Sequence, residues 1–384
     1  MTESTTPSSA PNKPALIPEN RTTPRLFIAA SQMNDGKTTV ALGLISALRE
    51  RSLRIGYIKP VGHRFVEVDG LKIDEDSVLI NQVFGGSDPI AEMSPVAVEP
   101  EFTRKYLLSG NHETLVRRVT RAFDRIAWEK DCVIVEGTGH AGVGSVFDLS
   151  NATVAKLLDA RVVLVTRGGI GRPIDEVALN KALFDQMQVP LIGVVMNKVL
   201  PDKMAQISDF ARKGLKRIGV DLLGVMPRLE ELENPTLSQI CEQLDARFVH
   251  GAENSDRRVA RTIIGAMSSR HAMDYFHPGS LVITPGDRED LILAALSSSA
   301  LLSPGEGLAG IILSDDLQPH HNVLEMIRRS RMPVMASPLD SYRVASRIHD
   351  LTIKTRASDS DKIETIRGLI RSHLDIERIL KAVR

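Results

Sequence analysis

The run Ser31-Gln32-Met33-Asn34-Asp35-Gly36-Lys37-Thr38-Thr39 has the residue types and spacing of a phosphate-binding loop. It follows the apolar segment Leu26–Ala29 and opens a stretch in which Val40, Ala41, Leu44, Ile45 and Leu48 recur on one helical face. In such a turn backbone N–H groups point inward around a phosphate, so Asn34, Asp35, Gly36, Lys37, Thr38 and Thr39 are the expected nucleotide-binding residues. Lys37 would neutralise the β/γ oxygens, and the Thr38 hydroxyl is placed to hold Mg2+. Only Ser31 departs from the G-x-x-x-x-G-K-[ST] pattern, at its first glycine.

Further chemistry-bearing residues stand at the ends of apolar runs, where ligands bind in a parallel sheet. Glu136 ends Val133-Ile134-Val135 and precedes Gly137-Thr138-Gly139, so its carboxylate is placed to hold Mg2+ directly or through water. Lys59 ends Ile55-Gly56-Tyr57-Ile58 before a strand-stopping proline and points a charge at phosphate or carboxylate. Asn197-Lys198 ends another run; a guanine-reading aspartate would stand at Leu200, so Asn197 is expected to read adenine. Asp74, Glu75 and Asp76 open an apolar helix, and Asp76 could complete a metal site with Thr38 and Glu136. Other readings stay open: Asn197 capping a turn, Glu136 accepting N–H bonds from the next turn, the acidic trio stabilising a helix start, His140 facing solvent.

Positioning these residues requires an α/β fold. From Arg25 onward short β-branched runs alternate with helical periodicity, which predicts a mostly parallel sheet flanked by helices. The expected strands are 26–29, 53–58, 132–136, 162–166, 191–196 and 222–225, nearly continuous apolar runs as strands buried on both faces should be. Helical stretches 38–50, 111–130, 172–188 and 202–218 supply crossovers. A break at Glu230–Pro235 separates a first domain, 25–233, from a smaller second α/β domain, 234–384, without a phosphate loop of its own. The tail from Ser358 reads as two short amphipathic helices packed on this second domain or on a partner subunit. Residues 1–24, rich in Ser, Thr and Pro, read as a disordered leader.

Composition narrows the partners. Lys plus Arg and Asp plus Glu both number 48, so no long-range field favours nucleic acid or anionic membrane. No apolar stretch approaches the ~20 residues needed to span a bilayer, and no signal peptide is evident, which predicts a cytoplasmic protein. Cys132 and Cys241 lack the spacing of a metal site or disulfide framework and read as reduced thiols.

The order of 26–50, Gly56-Tyr57-Ile58-Lys59-Pro60-Val61, Asp76-Ser77-Val78-Leu79, Val135-Glu136-Gly137-Thr138-Gly139 and Val195-Met196-Asn197-Lys198 resembles dethiobiotin synthetase over residues 25 to about 230. That resemblance implies a P-loop NTPase fold with ATP and Mg2+ as cofactors. It places Lys37, Thr38, Asp76 and Glu136 around metal and phosphates, Lys37 and Lys59 as the catalytic cations, and Asn197 on adenine. The second half, through Gly265-Ala266-Met267-Ser268, Pro278–Asp290 and Ala345-Ser346-Arg347-Ile348, resembles the DRTGG domain that follows such a module in long phosphate acetyltransferases. The whole resembles the N-terminal noncatalytic part of those enzymes.

Departures shape the expected activity. The chain stops short of the acetyltransferase catalytic domain, so acetyl transfer is not expected of it. Asp35 puts a carboxylate near the phosphate position, and Ser314-Asp315-Asp316 replaces a Thr-Gly-Gly turn. A cobyrinic-acid-amide-synthase-like activity would need a nucleophilic cysteine that neither Cys132 nor Cys241 supplies. The reading is a Mg-ATP-binding regulatory or scaffold protein, with a homo-oligomer or a metabolic enzyme as partner. The alternative is an ATPase or ATP-dependent ligase that activates a carboxylate or carbamate. The bulky, charged segment 62–72 disfavours the ligase, although His63 and Arg64 could bind an anionic substrate.

Overall fold

The computed structural model describes residues 17–86, 88–302, 307–351 and 353–383. The chain divides into two compact units, residues up to Arg228 together with Thr355 onward, and Leu229–Lys354.

The first unit is a six-stranded, all-parallel sheet of β1 (Arg25–Ala30), β2 (Ile55–Ile58), β3 (Cys132–Glu136), β4 (Arg161–Arg167), β5 (Leu191–Val199) and β6 (Leu222–Pro227). Its spatial order is β6-β5-β4-β1-β3-β2. Every residue of β1 and β3 is buried, as expected of central strands covered by helices on both faces. After β1 the chain crosses to β2 and returns to β3, which pairs with both, while β4 lies on the other side of β1. The carboxyl ends of β1, β3 and β2 therefore lie side by side, bringing Ser31, Glu136 and Lys59 to one edge of the sheet, beside a change of winding direction.

The helix Lys37–Arg49 is buried on all sides from Val40 to Leu48. The sheet covers one side, and the tail helix Ser360–His373 covers another: a Cβ on Gly43 would lie 2.1 Å from Ile370. Arg367 Nε donates to Ser46 Oγ (3.0 Å) and Arg371 pairs with Glu50 (3.0 Å). Farther along, Arg51 pairs with Glu377 (3.0 Å), and Asp375 N–H donates to Leu223 O (2.9 Å). The tail thus belongs to the first unit, which corrects its expected place on the second domain: Lys37–Arg49 has no polar face to leave in water, and the tail supplies its cover.

The leader expectation for residues 1–16 lies outside the described residues. Residues 17–24 depart from it, because Asp124 accepts the N–H groups of Glu19 (3.0 Å) and Asn20 (2.9 Å), and Thr23 is buried.

The second unit is a five-stranded sheet of β7 (Arg247–His250), β8 (Arg261–Ile264), β9 (Ser280–Pro285), β10 (Gly310–Ser314) and β11 (Val334–Ala336), in the order β7-β11-β10-β9-β8. β8 to β11 are parallel and β7 is antiparallel to β11. Alternate residues feed two cores, Val282, Ile311 and Leu313 packing with Leu291, Ile292 and Ile327, and Leu281, Ile283 and Ile312 packing with Leu237, Ile240 and Val344. Among the described residues no helix is long and apolar enough to cross a membrane.

Candidate nucleotide site

Between β1 and the helix Lys37–Arg49 the chain turns through Asn34 (φ 63°) and Gly36 (φ 102°), both left-handed. Gly36 is the helix N-cap and offers no side-chain acceptor to the first turn. A Cβ there would lie 2.1 Å from Asn197 Nδ2, so the position takes only glycine.

The Asp35 carboxylate turns into the base of the loop. It accepts from Ser31 Oγ (2.9 Å), from Gln32 N–H (2.8 Å) and from Arg167 Nε (3.0 Å). Burial raises its pKa, with Ser31, the Gln32 N–H and Arg167 opposing that shift. Ser31, at the position of the missing first glycine, bonds Thr166 Oγ1 (2.8 Å) on the neighbouring strand β4. Ser31, the one departure from the common loop pattern, and the Asp35 carboxylate thus brace each other. The expected proximity of the Asp35 carboxylate to a phosphate is not what this conformation shows.

Asn197 is also engaged by the loop. Its Nδ2 donates to Asp35 O (2.9 Å) and its Oδ1 accepts from Lys198 N–H (2.9 Å), and the residue is buried. The amide braces the loop, the contact that the turn-capping alternative to adenine reading requires. Asn180 makes a second brace, donating to Ser31 O (3.4 Å) and accepting from Ala141 N–H (2.7 Å).

Beyond the loop, Thr38 Oγ1 donates to Glu136 Oε1 (2.6 Å), and Tyr57 OH donates to Glu136 Oε2 (2.9 Å). Glu136 is fully buried; desolvation and the charge of Asp76 raise its pKa against the pull of Lys59, Thr38 and Lys37. Lys37 is shifted the opposite way, its amine lowered by desolvation although Glu136 opposes the shift. Lys59 Nζ lies 2.8 Å from Asp74 Oδ1 and pairs with Asp76 Oδ2, all three side chains being buried. Thr39 follows Thr38 in the first turn, half-buried.

Thr38, Glu136, Lys59 and Asp76 are therefore brought together, with Lys37 electrostatically coupled to Glu136 and Asp76. His140 stays apart: its Nδ1 accepts from Gly142 N–H (3.2 Å) on an exposed loop. Tyr57 and Asn180 were not identified as site residues from the sequence. Asn180, a buried amide in the helix Arg172–Gln186, is the one a search for polar residues on a buried helical face would find.

The donor set suits a hard divalent cation. All candidate ligands are oxygens, and three carboxylates face two ammonium groups. Among the described residues no three carboxylate, histidine or cysteine side chains form a ready-made cage, so a cation here would share its shell with water or phosphate oxygens, as Mg2+ does.

Comparison with known proteins finds a family for each half of the chain. The AAA domain family matches residues 24–236 and the DRTGG domain residues 239–351. Phosphate acetyltransferase of Pseudomonas aeruginosa is 29% identical over 371 residues, 91% of this chain and 51% of that protein. The Nitrosomonas europaea phosphate acetyltransferase is 27% identical over 369 residues, 92% of this chain and 51% of that protein. This chain spans about half the length of these relatives. Among solved structures, cobyrinic acid a,c-diamide synthase from Mycobacterium smegmatis with bound ADP and magnesium covers 54% of this chain and 88% of its own at 16% identity, with a TM-score of 0.38. The chain belongs to the AAA domain family, its dethiobiotin-synthetase-like P-loop unit joined to a DRTGG domain as in the N-terminal part of the phosphate acetyltransferases.

Proposed function

We propose that the first unit binds Mg-ATP on the loop 31–39 and that the chain works in the cytoplasm as a regulatory or scaffold protein, with the DRTGG domain passing nucleotide occupancy to a partner. The observation that carries this reading is the pairing of the Thr38 hydroxyl with Glu136 at 2.6 Å beside Lys37, on a loop whose glycine-type turn is braced from below by Asp35 and Asn197. A bound cation would take oxygens from Thr38 and Glu136, with Asp76 available once it parts from Lys59. Lys37 would carry the phosphate charge. Leu200, exposed where a guanine-reading carboxylate would stand, favours ATP over GTP.

Phosphoryl transfer to a carboxylate or carbamate is the competing reading. It requires a cation on the transferring group, and the second lysine of the site is already neutralised by two carboxylates, which favours holding a nucleotide over transferring its phosphate. The test is calorimetric titration of the protein and of Lys37→Ala with ATP and GTP, with and without Mg2+. Mg2+-dependent ATP binding, lost in Lys37→Ala, is expected. Absence of saturable ATP binding by the unaltered protein overturns the proposal, and turnover appearing only with an added carboxylate or amine favours the ligase.

A further inference from the structure

We infer that Asp74 is a positioning residue that withholds Lys59 from bound phosphate, so that the loop holds a nucleotide without placing a second ammonium group on its terminal phosphate. This rests on the Mg-ATP reading above and names the residue that separates holding from transfer.

Two carboxylates share the Lys59 ammonium, and they are not equivalent. Asp76 lies in the first turn of the helix Glu75–Phe84, where a cation could draw its side chain away. Asp74 is fixed. It is the N-cap of that helix, its Oδ1 accepting from Asp76 N–H (2.9 Å) as well as from Lys59. Its own N–H donates to Ser94 Oγ (3.0 Å), and it closes the hairpin in which Phe65–Val68 pairs with Leu71–Asp74, directly opposite Phe65. It is 1% exposed and packed against Gly62, where a Cβ would lie 2.7 Å from Oδ2. That Oδ2 is buried with no hydrogen-bond partner, so the charge of Asp74 is compensated chiefly by Lys59 and holds it strongly. When Asp76 leaves for a metal, Asp74 still retains the lysine.

Asp74→Asn tests this on the full chain, because Asn caps a helix as well as Asp and keeps its size while removing the charge. Calorimetry with Mg-ATP and Mg-ADP should give an ATP:ADP affinity ratio about tenfold above that of the unaltered protein, the scale of one charge-assisted hydrogen bond. The ratio should return to its starting value in Asp74→Asn/Lys59→Met. A purely structural role for Asp74 would weaken both nucleotides alike. An unchanged ratio overturns the inference, as does a raised ratio that persists in the double variant. Asp74→Ser, another good cap, repeats the measurement should Asp74→Asn fold poorly. Binding by Asp74→Asn where the unaltered chain binds nothing would support the clamp while overturning the proposed function. Binding by neither overturns both.

Discussion

At Gly36 the loop tolerates no side chain, for two independent reasons. Its φ of 102° is strained for any L residue, and its Cα faces the Asn197 amide at a distance that leaves no room for a methyl group. Gly36→Ala is expected to cost about 1–3 kcal/mol and to displace Asn197 from the loop. Urea unfolding reads the first effect. Loss of ATP binding in calorimetry, at a temperature where the variant remains folded, reads the second.

Lys59 yields a prediction with a pH signature. Burial alone would push its amine down, but the carboxylates of Asp76, Asp74 and Glu136 outweigh that and hold it well above the ordinary lysine value of 10.5. A base raised in the folded state binds its proton more tightly there than in the unfolded chain. Its stabilisation is therefore complete below the unfolded value and fades as pH rises through the folded one. Lys59→Met should destabilise the first unit by about 3–5 kcal/mol near pH 8, since it leaves two carboxylates buried without their cation. The deficit relative to the unaltered protein should shrink by at most about 1.4 kcal/mol per pH unit once the pH exceeds 10.5. Urea midpoints near pH 8 and 11 check both; a deficit that grows on the alkaline side would contradict the assignment.

The two lysines show how far residue types alone can be read. Thr38, Glu136, Lys59 and Asp76 were legible because each ends or begins an apolar segment, and parallel strands align such ends. Their pairing was not legible: Lys59 meets Asp74 and Asp76 through the hairpin 65–74, whose alternation is short and interrupted by charge. Asn197 was read for its capacity to recognise a base, yet an amide can equally satisfy backbone groups, and here the loop carbonyl of Asp35 lies within its reach.

Among elements, the strands buried on both faces follow their apolar runs closely. The run expected at 132–136 is β3 itself, and β1, β4, β5 and β6 extend theirs by a few residues. β7 went unseen because Arg247-Phe248-Val249-His250 is four residues long, half-polar and antiparallel. The helix Lys37–Arg49 held an unread signal. One apolar face suffices to pack it on the sheet, but Leu42, Ala47 and Gly43 lie off that face and are buried as well, so the helix needed a second cover. The tail helix Ser360–His373 provides it through Ile370, which is fully buried. Ile370→Ala should destabilise the first unit by about 2–4 kcal/mol. Gly43→Leu should be worse, since the approach of Ile370 leaves no space for it. Thermal unfolding measures both, and a shift confined to the second unit would contradict the packing.

For the whole molecule, the consequence is that order along the chain and membership of a unit differ. A boundary read from composition at Glu230–Pro235 lies close to the observed one after Arg228, but composition contains no instruction for the chain to return at Thr355. An amphipathic helix declares that it needs an apolar partner without declaring which one. Leu229–Lys354 has both termini at its junctions with the first unit and two cores of its own, one on each side of its sheet. The isolated fragment 229–354 is therefore expected to unfold cooperatively as a two-state domain. The fragment 17–228, by contrast, lacks the cover of Lys37–Arg49 and should be loosened even though it retains every strand of its sheet. Adding residues 355–384 as a separate peptide should raise its melting temperature and restore ATP binding, because the peptide brings back the buried surface around Gly43 and Ile370. Calorimetric melts of the two fragments, with and without the peptide, decide the point. A fragment 17–228 that melts as high alone as with the peptide would mean that the tail adds nothing to the P-loop unit.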